Sequence, residues 1–149
     1  MGVRPSERDR EDVEGAVRAF FEAGKNKDLP ALADLHGPRE TFTKFDENPP
    51  YTRQDSDDAF MHEQAAFANI SDYHYDIEDL RVDLFGDVAV ATFYLSYDGM
   101  VVNDYSFEGS TVSGKARVTM VLSRTNQGWR ISHEHFSRYP ELSPHGKKG

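Results

Sequence analysis

Cysteine is absent from the 149 residues, which removes a disulfide framework, a thiolate nucleophile and a Cys-ligated zinc site from consideration. Cations are scarce. Against 26 Asp and Glu stand 17 Lys and Arg, a formal net charge of −9, so phosphate-rich partners such as nucleic acid or an anionic membrane find little electrostatic attraction. No stretch approaches the roughly 20 apolar residues of a membrane span, and the amino end, MGVRPSERDREDVEG, is charged where a secretory leader would be apolar. Asn69-Ile70-Ser71 fits a glycosylation acceptor, but without a secretory signal it is set aside. The expectation is a soluble, cytoplasmic protein whose partners are small molecules or other protein chains. A chain of this length buries about 70% of its unfolded surface, enough for one core and one domain. That domain is expected over residues 8–140, with 1–7 and 141–149 as loose tails.

Helical spacing dominates the first half. Val13, Ala16, Val17, Phe20 and Phe21 recur at i, i+3, i+4, i+7 and i+8, predicting a helix over 8–23 with Gly24 as its stop. Asp28 is placed to cap a short second helix through Leu29, Pro30, Leu32 and Leu35. Thr41 to Phe45 alternates like a strand until Asn48-Pro49-Pro50 breaks it. Asp55 or Ser56 caps a third helix, with Phe60, Gln64 and Phe67 on one stripe, Met61, Ala65 and Ala68 beside it, and an end near Asn69. His62 lies near its first turn.

From Tyr73 the period becomes two. Tyr73, Tyr75, Ile77, Leu80, Val82 and Leu84 precede a turn at Gly86-Asp87 and the apolar run Val88 to Tyr97, a pair of long strands. Residues 98–112 carry Gly, Asn, Asp and Ser and read as a wide loop. The closing hairpin, GKARVTMVLSRTNQGWRISHEHFS, turns at Thr125-Asn126-Gln127-Gly128, and simple alternation puts Trp129, Ile131, His133, His135 and Ser137 on one face. Which face points inward depends on pairing parity and stays open. Helices followed by strands imply an α+β architecture, a strongly curved antiparallel sheet wrapped around about three N-terminal helices.

The phrase FGDVAVATFY at 85–94 and the ending G-W-x-I-x-H-x-H-x-S at 128–137 resemble the SnoaL-like, ketosteroid-isomerase-like domains of the nuclear-transport-factor-2-like superfamily. The resemblance implies a cystatin-like cone with a pocket at its open end, a homodimer through sheet surfaces, and no required metal or cofactor. It does not choose among isomerase, cyclase, dehydratase, hydrolase and non-catalytic binding modules. The W-x-x-x-H-x-H pattern is also similar to the end of the association domain of calcium/calmodulin-dependent kinase II. That likeness sets His62 in place of a pocket histidine and Tyr94, Met120 and Phe136 in place of pocket arginines, implying a more apolar pocket.

Two functions follow as expectations. One is a small-molecule pocket protein doing acid/base chemistry on a hydrophobic, oxygenated compound, with Tyr94, Glu134 and His62 as candidate catalytic groups. Phe42, Phe45, Tyr51, Met120 and Phe136 join them as candidate ligand-binding residues. The other is a dimeric binding or assembly module without catalysis. His133 and His135, at i and i+2, invite a metal with His62, His74 or a carboxylate as third ligand, but no spacing motif fixes one. They are assigned structural roles, with Thr119 or Arg117 as hydrogen-bond partners or in a dimer contact. Trp129 is read as a hairpin anchor.

Overall fold

The computed structural model describes residues 5–102 and 109–140; the expected tail 141–149 and part of the expected 98–112 loop lie outside them. Helix α1 spans Pro5–Lys25 and buries Val13, Val17, Phe20 and Phe21, the stripe its spacing predicts. It begins earlier than residue 8 and runs through Gly24. A Cβ at Gly24 would lie 2.4 Å from the Phe67 ring, so this glycine lets α1 and the third helix approach closely. The stop comes from Lys27 at φ 56, after which the Asp28 amide donates back to the Ala23 carbonyl at 2.8 Å.

Helix α2 is Leu29–Asp34, capped by the Asp28 carboxylate. Strand β1 is Thr43–Phe45, β2 is Gln54–Asp55, and α3 is Ser56–Asn69 with Asp55 as N-cap. The buried stripe of α3 is turned from the expected one. Ala59 and Glu63 are buried, while Met61, Ala65 and Ala68 are exposed.

Strands β3 (Ile70–Phe85), β4 (Val88–Val102), β5 (Gly109–Thr125) and β6 (Gly128–Arg138) form the expected antiparallel meander. Their length exceeds the alternating runs, and both ends of the expected wide loop, 98–102 and 109–112, are strand. The sheet is mixed, in the order β2-β1-β6-β5-β4-β3, because β1 pairs parallel to β6. It curves through bulges. Asp72 and Asp79 adopt φ 52 and 56 at the two register shifts of β3, a left-handed conformation that Asp tolerates. The concave face carries Ala89, Ala91, Phe93, Leu95, Val118, Met120 and Leu122 against α1.

The decisive irregularity is in β6. Ile131 pairs with Leu122 and His133 with Val121, so Ser132 is an extra residue without a partner across the ladder. A bulge slips the alternation by one. Trp129 and Ile131 point inward before it; Glu134 and Phe136 do so after it. His133, His135 and Ser137 therefore leave the face that carries Trp129 and Ile131, correcting the expectation from plain alternation. Trp129 is held by its neighbours: its Nε1 donates to Asp9 on α1 at 3.4 Å, and the Arg124 guanidinium lies 4.7 Å over its ring. Arg124 also donates to both Asp9 carboxylate oxygens, at 2.9 and 2.6 Å, and to Asp87. This clasp ties the start of α1 to the last hairpin. Among the described residues no helix is long and apolar enough to cross a membrane.

Candidate functional site

Four ionisable side chains converge beneath the helices: His36, Lys44, Glu63 and Glu134. Each arrives for a local reason. The segment after α2 docks on β6 beside the bulge, with the Ile131 amide donating to Leu35 O at 2.7 Å and the Gly37 amide donating to Ile131 O at 2.6 Å. His36 sits one helical turn after the fully buried Leu32 and follows it inward. Along β1 and the residue before it, Phe42 and Lys44 alternate inward while Thr43 and Phe45 turn outward. Glu63 occupies the centre of the Ala59-Phe60-Phe67 stripe of α3, and the bulge delivers Glu134 from β6.

The contacts are close. Glu134 is 0% exposed, and its Oε2 lies 3.0 Å from His36 Nε2. Lys44 Nζ donates to Glu63 Oε2 at 2.8 Å, lies 3.3 Å from Glu134 Oε1, and sits 4.7 Å above the Phe136 ring. His36 Nδ1 donates to Leu32 O at 2.8 Å, and Nε2, the second N–H of the imidazolium, lies between Glu134 and Glu63 Oε1, the latter at 3.1 Å. Three aromatic rings, Phe20, Phe42 and Phe60, meet the imidazole edge to face. Not every oxygen is well bonded. Glu63 Oε1 and Glu134 Oε1 each have a cation within ion-pair range but no well-directed hydrogen bond.

This packing separates the two carboxyls. Desolvation pushes Glu134 up to about 7, reinforced by the neighbouring Glu63 charge and opposed by Lys44. Glu63 is equally buried, yet the Lys44 ammonium, a hydrogen bond from the Glu134 carboxyl and the imidazole hold it well below the usual carboxylate range. Burial acts against charge on His36 too, but the two carboxylates outweigh it and raise the imidazole to about 10. Lys44 is likewise held charged by Glu63 and Glu134 against its own desolvation. The chemical result is a Glu134 carboxyl that holds a proton up to about 7, hydrogen-bonded toward Glu63, beside an imidazolium and a Lys44–Glu63 ion pair that stay charged.

His36 opens this network to a cleft of about 430 Å³, lined also by Arg39, Ser56, Asp57, Phe60, Met61 and Gln64. That volume suits a ring-sized molecule. Arg39 and Asp57 form an exposed ion pair at the rim. A larger cleft of about 920 Å³ lies beyond the end of α1, between Tyr75, Tyr97, Lys115 and Arg138, and carries none of the four. The converging chemistry makes the smaller cleft the better candidate.

The residues nominated from sequence are scattered. Glu134 is in the network, Phe42 and Phe136 pack against it, and Met120, fully buried, pairs across the ladder with Glu134. Tyr94 faces outward, 36% exposed, against Tyr139 and Lys115; Tyr51 is 64% exposed. His62 is on the outer side of α3 and donates through Nδ1 to Gln54 Oε1 at 2.7 Å. Phe45 lies outside with His133 and His135, ring centroids 5.9 and 5.3 Å away. His133 Nδ1 meets Thr43 Oγ1 at 2.8 Å, and His74 pairs with Asp98, so neither gathers the metal set weighed from spacing. His36, Lys44 and Glu63 went unnominated, though each carried a signal: an imidazole four residues after Leu32, a lysine two after Phe42, and a glutamate inside an apolar stripe.

The SnoaL-like domain family model matches residues 13–141. No curated protein matches the sequence. Among solved structures, a candidate dehydratase of the nuclear-transport-factor-2-like family from Streptomyces avermitilis superposes with TM-score 0.77 at 21% identity, over 91% of this chain and 99% of its own. A nuclear transport factor 2-like superfamily protein from Salmonella enterica gives 0.76 at 16% identity, covering 96% and 99%. The calcium/calmodulin-dependent kinase II hub from S. rosetta gives 0.68 at 20% identity, covering 87% and 95%. At these identities the structural likeness speaks to fold.

Proposed function

The chain belongs to the SnoaL-like domain family, and on that premise we propose that it is an acid/base catalyst acting on a hydrophobic, oxygenated small molecule in the cleft above His36. The carrying observation is the wholly buried Glu134 carboxyl, hydrogen-bonded at 3.0 Å to an imidazole that lines the cleft. A buried carboxyl that titrates near neutrality against an imidazole can take a proton from carbon and return one to oxygen without outside buffer. In an isomerisation the pair removes a proton beside a carbonyl and redelivers it further along the conjugated system, with no net change in atoms. In a dehydration the same pair removes that proton and protonates the departing hydroxyl, so that water leaves and a double bond forms. The candidate dehydratase among the structural neighbours favours the second. Phe60 and Met61 supply an apolar wall, and Gln64 and Ser56 supply polar contacts for orientation.

A second reading has its own support. Both His36 nitrogens are engaged inside the protein, a closed network that also suits a binding or assembly module like the kinase hub. The convex face supports a homodimer in either reading. The middle of this face is uncharged: across β4, β5, β6 and β1 run Val90–Val121–His133–Thr43 and Thr92–Thr119–His135–Phe45, with Asp83, Arg81 and Asp55 only at the flanking strands. Two copies can stack on that middle and leave the flanking charges at the rim.

The test works before any substrate is identified. A panel of cyclic ketones and β-hydroxycarbonyl compounds is incubated with the protein in D₂O, and carbon-bound deuterium and loss of water are followed by NMR. Protein-dependent exchange or dehydration that disappears in both Glu134→Gln and His36→Gln is the expected result. Activity that survives in both variants moves the chemistry elsewhere, and an inert panel alongside concentration-dependent dimer formation favours the assembly reading.

A further inference from the structure

The arrangement of charges around Lys44 resembles a metal centre with the ion exchanged for an ammonium. His36 Nε2, Glu63 Oε1 and Glu134 Oε2 are neighbouring donor atoms: the imidazole nitrogen is 3.1 and 3.0 Å from the two oxygens. All three residues offer ligand atoms within 4.8 Å of one another. Bonds of about 2.0–2.2 Å to one divalent ion place adjacent ligands roughly 3.0–3.5 Å apart, so two of the three edges already have that length. The outer shell fits as well. Nδ1 donates to the Leu32 carbonyl at 2.8 Å, the hydrogen bond that orients a ligating imidazole and aims Nε2 at the two carboxylates, where a metal ion would displace its proton.

The carboxylates also have spare capacity. With both carboxyls ionised, Glu63 Oε1 and Glu134 Oε1 have no hydrogen-bond donor although their residues are only 4% and 0% exposed; a proton on Glu134 shared toward Glu63, or a cation, satisfies them. The cation present is Lys44 Nζ, 2.8 Å from Glu63 Oε2 and 3.3 Å from Glu134 Oε1, thus bridging the two carboxylates. A divalent ion added beside it would leave the dry site with excess positive charge, and the two cations would repel strongly at this separation.

We propose that Lys44 is a tethered counter-cation holding the place of a metal, and that His36, Glu63 and Glu134 bind a divalent ion of the Zn²⁺, Co²⁺ or Mn²⁺ class once that ammonium is removed. Imidazole with two carboxylates is a donor set those ions accept. The wild-type site works with an internal cation that cannot dissociate or be chelated. Its acid/base groups therefore keep their counter-charge in any metal supply.

Co²⁺ is the probe, read by its visible ligand-field absorption and by thermal stability, neither of which needs a substrate. Wild type, Lys44→Arg, Lys44→Met and a Lys44→Met/Glu63→Gln/Glu134→Gln triple variant are titrated. Lys44→Met is expected to bind Co²⁺ at least about tenfold more tightly than wild type, the direction set by removing a repelling charge at contact distance. Stoichiometry is expected to be one ion, with a Co²⁺-dependent rise in Tm reversed by a chelator. Lys44→Arg is expected to behave as wild type and the triple variant to lose binding. The proposal is overturned if wild type and Lys44→Met bind equally, if neither binds, or if the triple variant retains the ion. Lys44→Met that stays unfolded even with Co²⁺ also counts against it, because the ion is supposed to restore the missing charge.

Discussion

The two faces of strand β6 reverse the usual order of a soluble sheet. Behind it, against the helices, Glu134 meets Lys44 and Glu63 at 0–4% exposure. In front, toward solvent, His133 and His135 lie among threonine, valine and Phe45. Beyond the bulge, charge is inside and uncharged side chains are outside. The difference teaches that the inner charges persist because they pair with one another: a partner removed singly strands an opposite charge and costs about 3–5 kcal/mol. The outer face has no such coupling, and its composition answers to whatever covers it.

The comparison breaks most completely at its hinge. Exchanging the two residues that follow the bulge, His133→Glu with Glu134→His, puts the carboxylate outward and an imidazole against Lys44. Destabilisation by about 5 kcal/mol is expected from urea unfolding, or failure to fold. An exchange variant as stable as wild type would mean the inner charges do not depend on one another.

A smaller effect sharpens the inner half. Glu134 and His36 both have folded-state proton affinities raised above their ordinary values, to about 7 and about 10. The native state then holds protons that the unfolded chain has released, so stability falls as pH rises, first between about 4.5 and 7 and then between 6.5 and 10. Glu63 is shifted the other way and costs stability only as pH falls below its ordinary 4.5. Greatest stability is therefore expected near pH 5. Glu134→Gln should flatten the first limb, worth on the order of 3 kcal/mol at most. Equal slopes in both proteins would locate the proton uptake elsewhere.

The smallest effect belongs outside. His133→Ala and His135→Ala should change monomer stability by no more than about 1 kcal/mol, since partly exposed polar contacts contribute little. A larger loss that depends on protein concentration would show that the face is buried between copies.

The sequence made the architecture readable because periodicity changes cleanly at Tyr73 and because Asp28 and Asp55 cap where capping residues belong. It made the network hard to read for one physical reason. Bulge formation at Ser132 depends on β6 meeting two different partners, the Leu35–Gly37 segment before it and β1 after it, and those meetings are tertiary. Glu134 was nominable as a polar residue on a strand, but its inward direction was not. Glu63 and Lys44 each look like solvent-facing charges until the other is placed 2.8 Å away. Tyr94 and His62 illustrate the converse: suitable chemistry, on the outward side of its element.

The clasp of Asp9 with Arg124 and Trp129 has a consequence for the order of events. It joins residues 115 positions apart, whereas the β5–β6 hairpin that carries Arg124 and Trp129 closes across a tight turn. Local pairing is entropically cheap and early, and closure over so long a loop is late. The beginning of α1 is thus the segment recruited last onto an existing sheet and the first to let go. Weakening the clasp, as in Asp9→Asn, should accelerate unfolding far more than it slows refolding.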